Sequence, residues 1–156
     1  MRPTGKAELL SPAGDMERLE MALAYGADAV YLAGDAFGMR AFAGNFDRQG
    51  LARAVELAHS KGVSVHVTCN TMARNDEADR LPEYLEYLDG IGADAVIAAD
   101  VGVLALAKRH APHMQVHVST QAGVTNYQMA RAWYDLGAAR VILARELSLD
   151  EIREIR

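Results

Sequence analysis

The sequence predicts an α/β protein of the (β/α) barrel type, incomplete here, with a parallel sheet made by about six βα units. Three observations carry that expectation. The first is a recurring phrase: Tyr25-Gly26-Ala27-Asp28-Ala29-Val30-Tyr31, Ile91-Gly92-Ala93-Asp94-Ala95-Val96-Ile97 and Leu136-Gly137-Ala138-Ala139-Arg140-Val141-Ile142, with a fainter copy at Lys61-Gly62-Val63-Ser64-Val65. In each copy an apolar-periodic run ends at a glycine and a short apolar run follows. Glycine accepts the left-handed conformation just past a helix, where a Cβ would be strained. The run after it is too short for a helix and reads as a buried strand. The second observation is a two-residue alternation within the strands. Val63, Val65 and Val67 fall on one face and Ser64, His66 and Thr68 on the other, while Val116 and Val118 oppose His117, Ser119 and Gln121. A barrel explains it, with apolar side chains toward the helices and a mixed set toward the lumen; the strands of a doubly covered sheet would be apolar throughout. The third is the first turn, Pro12-Ala13-Gly14, whose single glycine lacks the Gly-x-Gly-x-x-Gly pattern of a doubly wound dinucleotide fold.

Taken in order, residues 7–11 form the first strand, and Asp15 is placed to cap a helix over 16–25. A strand at 29–33 leads into the longest loop, 34–46, which holds Arg40 and Asn45 and is long enough to act as a lid or an interface arm. Asp47 opens the next helix, to Lys61, and a strand follows at 63–68. A helix covers 78–90, where Pro82 is tolerable in the first turn. The fourth strand is 95–99, with Asp100 as cap of a helix at 101–110, and the fifth is 115–119. Thr125 with Gln128 forms a capping box for the next helix. The sixth strand is 140–144, and Ser148 with Glu151 opens the last helix.

A full barrel needs eight strands and about 250 residues, whereas this chain has 156. Residues 1–156 are therefore expected to be a single domain, the N-terminal part of a (β/α)8-like barrel of a longer protein. The first and sixth strands are left as open edges, through which self-association is expected. No run is long and apolar enough to cross a bilayer and the N-terminus lacks a signal-peptide pattern, so no membrane partner and a cytoplasmic location are expected. A net charge of -5 argues against a broadly basic nucleic-acid surface. One cysteine, Cys69, leaves too few thiolates for a cluster or a cysteine zinc site.

In a barrel the chemistry sits at the carboxyl ends of the strands. Read in order, those ends offer Ser11-Pro12, Gly34, Thr68-Cys69-Asn70, Asp100, Ser119-Thr120-Gln121 and Arg145-Glu146. Arg145, directly after an apolar strand, suits bidentate binding of a carboxylate or phosphate; the plainer alternative is a local ion pair with Glu146. Asp100 reads mainly as a helix cap. His66 and His117 lie on alternate strands that share lumen layers. They are read as hydrogen-bonded core histidines rather than metal ligands, since no third ligand stands at a telling spacing. His59, His110 and His113 read as helix-end or loop histidines, and Cys69 as a small buried hydrophobe. No Gly-x-Ser-x-Gly elbow or His-Glu-x-x-His helix supports hydrolysis.

Several phrases carry a resemblance beyond fold. Glu8-Leu9-Leu10-Ser11-Pro12-Ala13-Gly14, the first recurring phrase, Ala43-Gly44-Asn45-Phe46, Val67-Thr68-Cys69-Asn70, Ser119-Thr120-Gln121 with Thr125-Asn126, and Ala144-Arg145-Glu146-Leu147-Ser148-Leu149 resemble peptidase family U32, the collagenase-like proteases. The likeness runs through almost the whole chain in order. It implies a barrel-like N-terminal domain and, further along in full-length members, a cysteine-rich segment. It implies hydroxylation of a pyrimidine in transfer or ribosomal RNA, with prephenate as oxygen source and an iron–sulfur cluster involved; related members act in oxygen-independent ubiquinone hydroxylation. Within these residues no cofactor is expected, since the chain stops before the region of the cluster cysteines, and the piece alone is expected to be inactive. What it retains is part of a pocket for a small, prephenate-like anion. Arg145 and Arg40 would face carboxylates, with Asn70, Gln121, Asn126 and Glu146 orienting the rest. The alternatives are a collagenase-like peptidase and a non-catalytic binding or assembly domain.

Overall fold

The computed structural model describes residues 7–39 and 45–156. Its six strands are β1 (Leu10–Pro12), β2 (Ala29–Ala33), β3 (Ser64–Cys69), β4 (Ala95–Ala98), β5 (Gln115–Val118) and β6 (Arg140–Val141). All neighbouring pairs are parallel and lie in sequence order from β1 to β6. A doubly wound sheet reverses its strand order at a switch point; this sheet never does, so it forms an arc of a barrel with helices on its outer side. Those helices are α1 (Met16–Ala24), α2 (Arg48–Ser60), α3 (Asn75–Ala78), α4 (Leu81–Gly90), α5 (Val101–His110), α6 (Tyr127–Asp135) and α7 (Leu149–Ile155).

The alternation predicted for the strands is realised. Val30, Leu32, Val65, Val67, Cys69, Val96, Ala98, Val116 and Val118 join Leu19, Leu51, Val55, Leu85, Leu88 and Leu104 of the helices in one core. Each such Val or Leu contributes about 1.5–3 kcal/mol on burial. The opposite faces carry Tyr31, His66, Thr68, Ile97, His117 and Ser119 into the lumen.

The recurring phrase has a physical basis in two parts. Gly26, Gly62, Gly92 and Gly137 all hold positive φ, from 70° to 104°. The Asp of the phrase pins the strand before it: Asp28 accepts from the Leu9 N–H at 2.8 Å and Asp94 from the Val65 N–H at 2.7 Å. Strand alignment is thus written into the phrase. In the copy at Leu136 the Asp position is Ala139, and Arg140 stands where the copies at Tyr25 and Ile91 have alanine.

Several boundaries differ from expectation, beginning with the first strand, expected over 7–11 and found at Leu10–Pro12, where its pairing with β2 starts. The segment read as one helix over 78–90 begins with the separate turn of α3, and Pro82 falls in the first turn of α4. The cap of α6 is Asn126, whose side chain accepts from the Met129 N–H at 2.9 Å, not Thr125. Asparagine is at least as good a cap as threonine, and a one-residue shift costs nothing. The sixth strand pairs as a ladder only at Arg140–Val141, although the Ile142 N–H still reaches the Val118 carbonyl at 2.9 Å.

A Cβ added at Gly26 meets nothing within 4 Å, so the Gly26→Ala variant isolates the backbone cost of positive φ. It should lower the free energy of urea unfolding by about 1–2 kcal/mol; an unchanged midpoint would refute the cap assignment.

Candidate functional site

The carboxyl ends of the strands surround a cavity of about 560 Å³, lined by Pro12, Tyr31, Ala33, Met39, Asn45, Thr68, Asn70, Ile97, Ser119, Thr120, Gln121, Ile142 and Arg145 among others. The fold puts polar groups here because each strand's lumen face ends in a residue that also begins the following turn. Ser119 shows how: its Oγ accepts from the Gln121 N–H at 3.2 Å and so caps a single 3-10 turn at Thr120–Ala122. That turn swings Gln121 over the cavity. Asn70 performs a similar task from β3. Its Oδ1 accepts from the Met39 N–H at 3.3 Å, and the neighbouring Thr71 hydroxyl donates to the Phe37 carbonyl at 3.1 Å. These bonds lay the segment after β2 along one side of the mouth.

That segment is shaped by its packing. Phe37 is a non-glycine residue at φ +60°, and its ring rests on Tyr84 at 5.2 Å between centroids. Gly34 is required where it stands, because a Cβ there would collide with the buried Tyr84 hydroxyl.

Of the residues singled out from sequence, Asn70, Gln121 and Arg145 come together on the cavity. Asn126 is committed to capping α6. Glu146 is exposed and absent from the lining. Arg40 lies outside the described residues. Arg145 has no ion-pair partner among the described residues, which disposes of the local pair with Glu146. No hydrogen bond engages its guanidinium among the described residues, and a carboxylate or phosphate is the chemistry such a fork matches. Asp100 is a cap, accepting from the Gly102 N–H at 2.5 Å. Tyr31 and Met39 also line the cavity and went unnoticed in the sequence. The alternation of β2 points to the first; Met39 gives no signal.

A second chamber, of about 400 Å³, lies at the amino ends of the strands and is lined by His66, His117, Glu8, Arg140, Gln115 and neighbours. His66 and His117 are 4 % and 2 % exposed and meet edge to face at 4.6 Å. His117 shares a hydrogen bond with Gln115 at 3.1 Å, but the buried His66 Nδ1 has no partner among the described residues, where the expectation that both are hydrogen-bonded in the core holds for only one. Burial pushes both imidazoles toward the neutral form, His117 down to about 4. Arg140 forms a bidentate pair with Glu8 at 2.6 and 3.1 Å, and that hydrogen bonding holds the Glu8 carboxyl below its usual range. Among the described residues no group of three His, Cys, Asp or Glu is arranged to hold a metal ion. His59, His110 and His113 sit at helix ends and loops beside Asp94, Glu86 and Asp89.

Cys69 is 1 % exposed on the helix side of β3, and burial pushes its thiol up to about 12. One inert thiol facing the core does not fit the four-cysteine donor set of an iron–sulfur cluster.

Comparison with known proteins adds the following. The family described as peptidase family U32 matches residues 14–156. The chain is 41% identical over 153 residues to tRNA hydroxylation protein P1 of Bacillus subtilis, covering 98% of this chain and 36% of that protein. It is 39% identical over 150 residues to the 23S rRNA 5-hydroxycytidine C2501 synthase of Escherichia coli, covering 96% of this chain and 22% of that one. The chain thus spans about a third or less of the length of these relatives. Among solved structures, that of the U32 peptidase Mk0906 superposes with a TM-score of 0.79 at 20% identity, over 100% of this chain and 67% of the other, a likeness of fold.

The thiol makes a checkable statement. Cys69 in the folded chain should react with a thiol reagent such as DTNB at pH 8 at least about a hundredfold more slowly than in urea, as a buried, fully protonated thiol must. Equal rates in the two conditions would place it outside the core.

Proposed function

Because the chain belongs to peptidase family U32, we propose that it is the N-terminal barrel part, residues 1–156 as one domain, of a longer cytoplasmic protein that hydroxylates a pyrimidine of transfer or ribosomal RNA using prephenate as the oxygen source. The observation that carries this reading is Arg145, an unpaired guanidinium among the described residues, on the rim of a 560 Å³ cavity in a chain 41% identical to a tRNA hydroxylation protein. A cavity of this size suits a small organic ligand. Prephenate carries two carboxylates; Arg145 takes one of them in bidentate fashion. Asn70 spends its Oδ1 on Met39 and keeps its amide protons for the ligand. Gln121 and the Ser119 and Thr120 hydroxyls supply the remaining hydrogen bonds. The three polar sides come from β3, β5 and β6, so the ligand is gripped by separate strands.

An iron–sulfur cluster, where the complete protein uses one, takes its cysteines from beyond these residues, and the 156-residue part is inactive alone. Its open edges on β1 and β6 pair with further chain or with a second copy. With a net charge of -5, the part takes the target base rather than the RNA backbone, and the phosphate contacts come from elsewhere. A peptidase reading finds no nucleophile and base together among the described residues. Ser119 opens on the upper cavity, His66 and His117 on the lower chamber, and Cys69 faces the helices.

The test is nucleoside mass spectrometry of bulk RNA from cells with and without the gene. The expected outcome is loss of a hydroxylated pyrimidine, restored by the intact gene and reduced at least about tenfold with Arg145→Ala, the loss of one charge-assisted bidentate contact. An unchanged nucleoside profile would overturn the hydroxylase reading; full restoration by Arg145→Ala would overturn the pocket.

A further inference from the structure

The Glu8–Arg140 pair joins residues 132 positions apart, one just before the first strand and one on the last. It therefore clasps the two edges of the open arc across the lumen. Directly beneath it sits an imidazole pair that has no role in the upper cavity. We propose that this lower chamber is a proton-operated latch, in which a proton taken from solvent by the His66–His117 pair draws Glu8 off Arg140 and releases the first strand from the sixth.

The geometry explains why a single proton suffices. Among the described residues His66 Nδ1 is buried and unpartnered, so the pair has a free ring nitrogen that can take one proton. The rings touch at 4.6 Å, too close for both to be charged. An imidazolium there attracts the Glu8 carboxylate and repels the Arg140 guanidinium, and both effects weaken the clasp. The other acids facing the chamber are engaged: Asp89 with His113 at 2.9 Å, and Asp94 with His59 at 2.8 Å and the Val65 N–H. Glu8 acts on His66 more strongly than Asp94 does, and it is the carboxylate whose own partner, Arg140, the imidazolium repels.

The direction with pH follows from burial. The imidazoles are held below their ordinary 6.5 in the folded chain, so the unfolded chain binds more protons once pH falls below about 6.5, and stability falls until about pH 4. Glu8 sits below its ordinary 4.5, so the upper part of that window belongs to the histidines. Glu8 and Arg140 each stand two residues before a wall of the upper cavity, Leu10 and Ile142. Release therefore reaches the ligand site.

The test uses the whole chain. Imidazole NMR signals are titrated from pH 7.5 to 4.5, while amide exchange, corrected for intrinsic rate, is followed at Ala13 and Ile142, which bond to β2 and β5. The expected result is a pair that titrates below the ordinary 6.5 and protection at the two edge amides that falls about tenfold or more by pH 5. In Glu8→Gln that protection is already lost at pH 7 and no longer depends on pH. Imidazoles titrating near 6.5, edge protection unchanged at pH 5, or wild-type protection in Glu8→Gln would each overturn the latch. If Glu8→Gln does not fold, the wild-type titration and exchange decide alone.

Discussion

The two-residue period of six parallel strands is the constraint from which both the core and the two lumen chambers follow. A strand sends alternate side chains to opposite faces, so a sequence such as Ser64-Val65-His66-Val67-Thr68-Cys69 must either bury its polar set or open a lumen for it. Here Val65, Val67 and Cys69 pack on the helices, while Ser64, His66 and Thr68 are spent on the lumen. A one-residue slip would exchange the two sets and remove core and site together. Register is therefore guarded twice, by the glycine that follows α1, α2, α4 and α6 and by Asp28 and Asp94, which hold the strand before them by its backbone N–H.

Along the lumen the polar residues separate by height. Those near the amino ends are Glu8, bonded to Arg140, and His66, edge to face with His117. Those at the carboxyl ends, Thr68, Asn70, Gln121 and Arg145, make few contacts with one another and are held mainly by their own turns. The Glu8–Arg140 pair satisfies itself, whereas groups held in place with bonding capacity to spare are what a ligand needs. Between the two levels lie Leu10, Tyr31, Ile97 and Ile142, a layer largely apolar that keeps the chambers distinct.

Most of the architecture was legible in the sequence because it is local. The glycine caps, the Asp15, Asp47 and Asp100 caps and the Ser148–Glu151 capping box are all fixed within a few residues, and all are found. The site was legible in part. Barrel logic names the strand ends, and so finds Asn70, Gln121 and Arg145 on the cavity, but it cannot tell a cap from a ligand contact when the residue suits both, as Asn126 does. The Glu8–Arg140 pair depends on chain curvature over 132 positions and has no local signature. Its one trace is the arginine that replaces alanine in the recurring phrase, legible only once the phrase is aligned with itself.

The central claim is that the strand carboxyl ends form an anion site governed by Arg145. Its most direct test is a titration of the isotopically labelled chain with prephenate, read by amide and guanidinium chemical shifts. The account predicts saturable shifts at Asn70, Gln121 and Arg145 that vanish in Arg145→Ala, with the His66 and His117 signals unmoved. Shifts confined to the lower chamber, or saturation that survives Arg145→Ala, would contradict it.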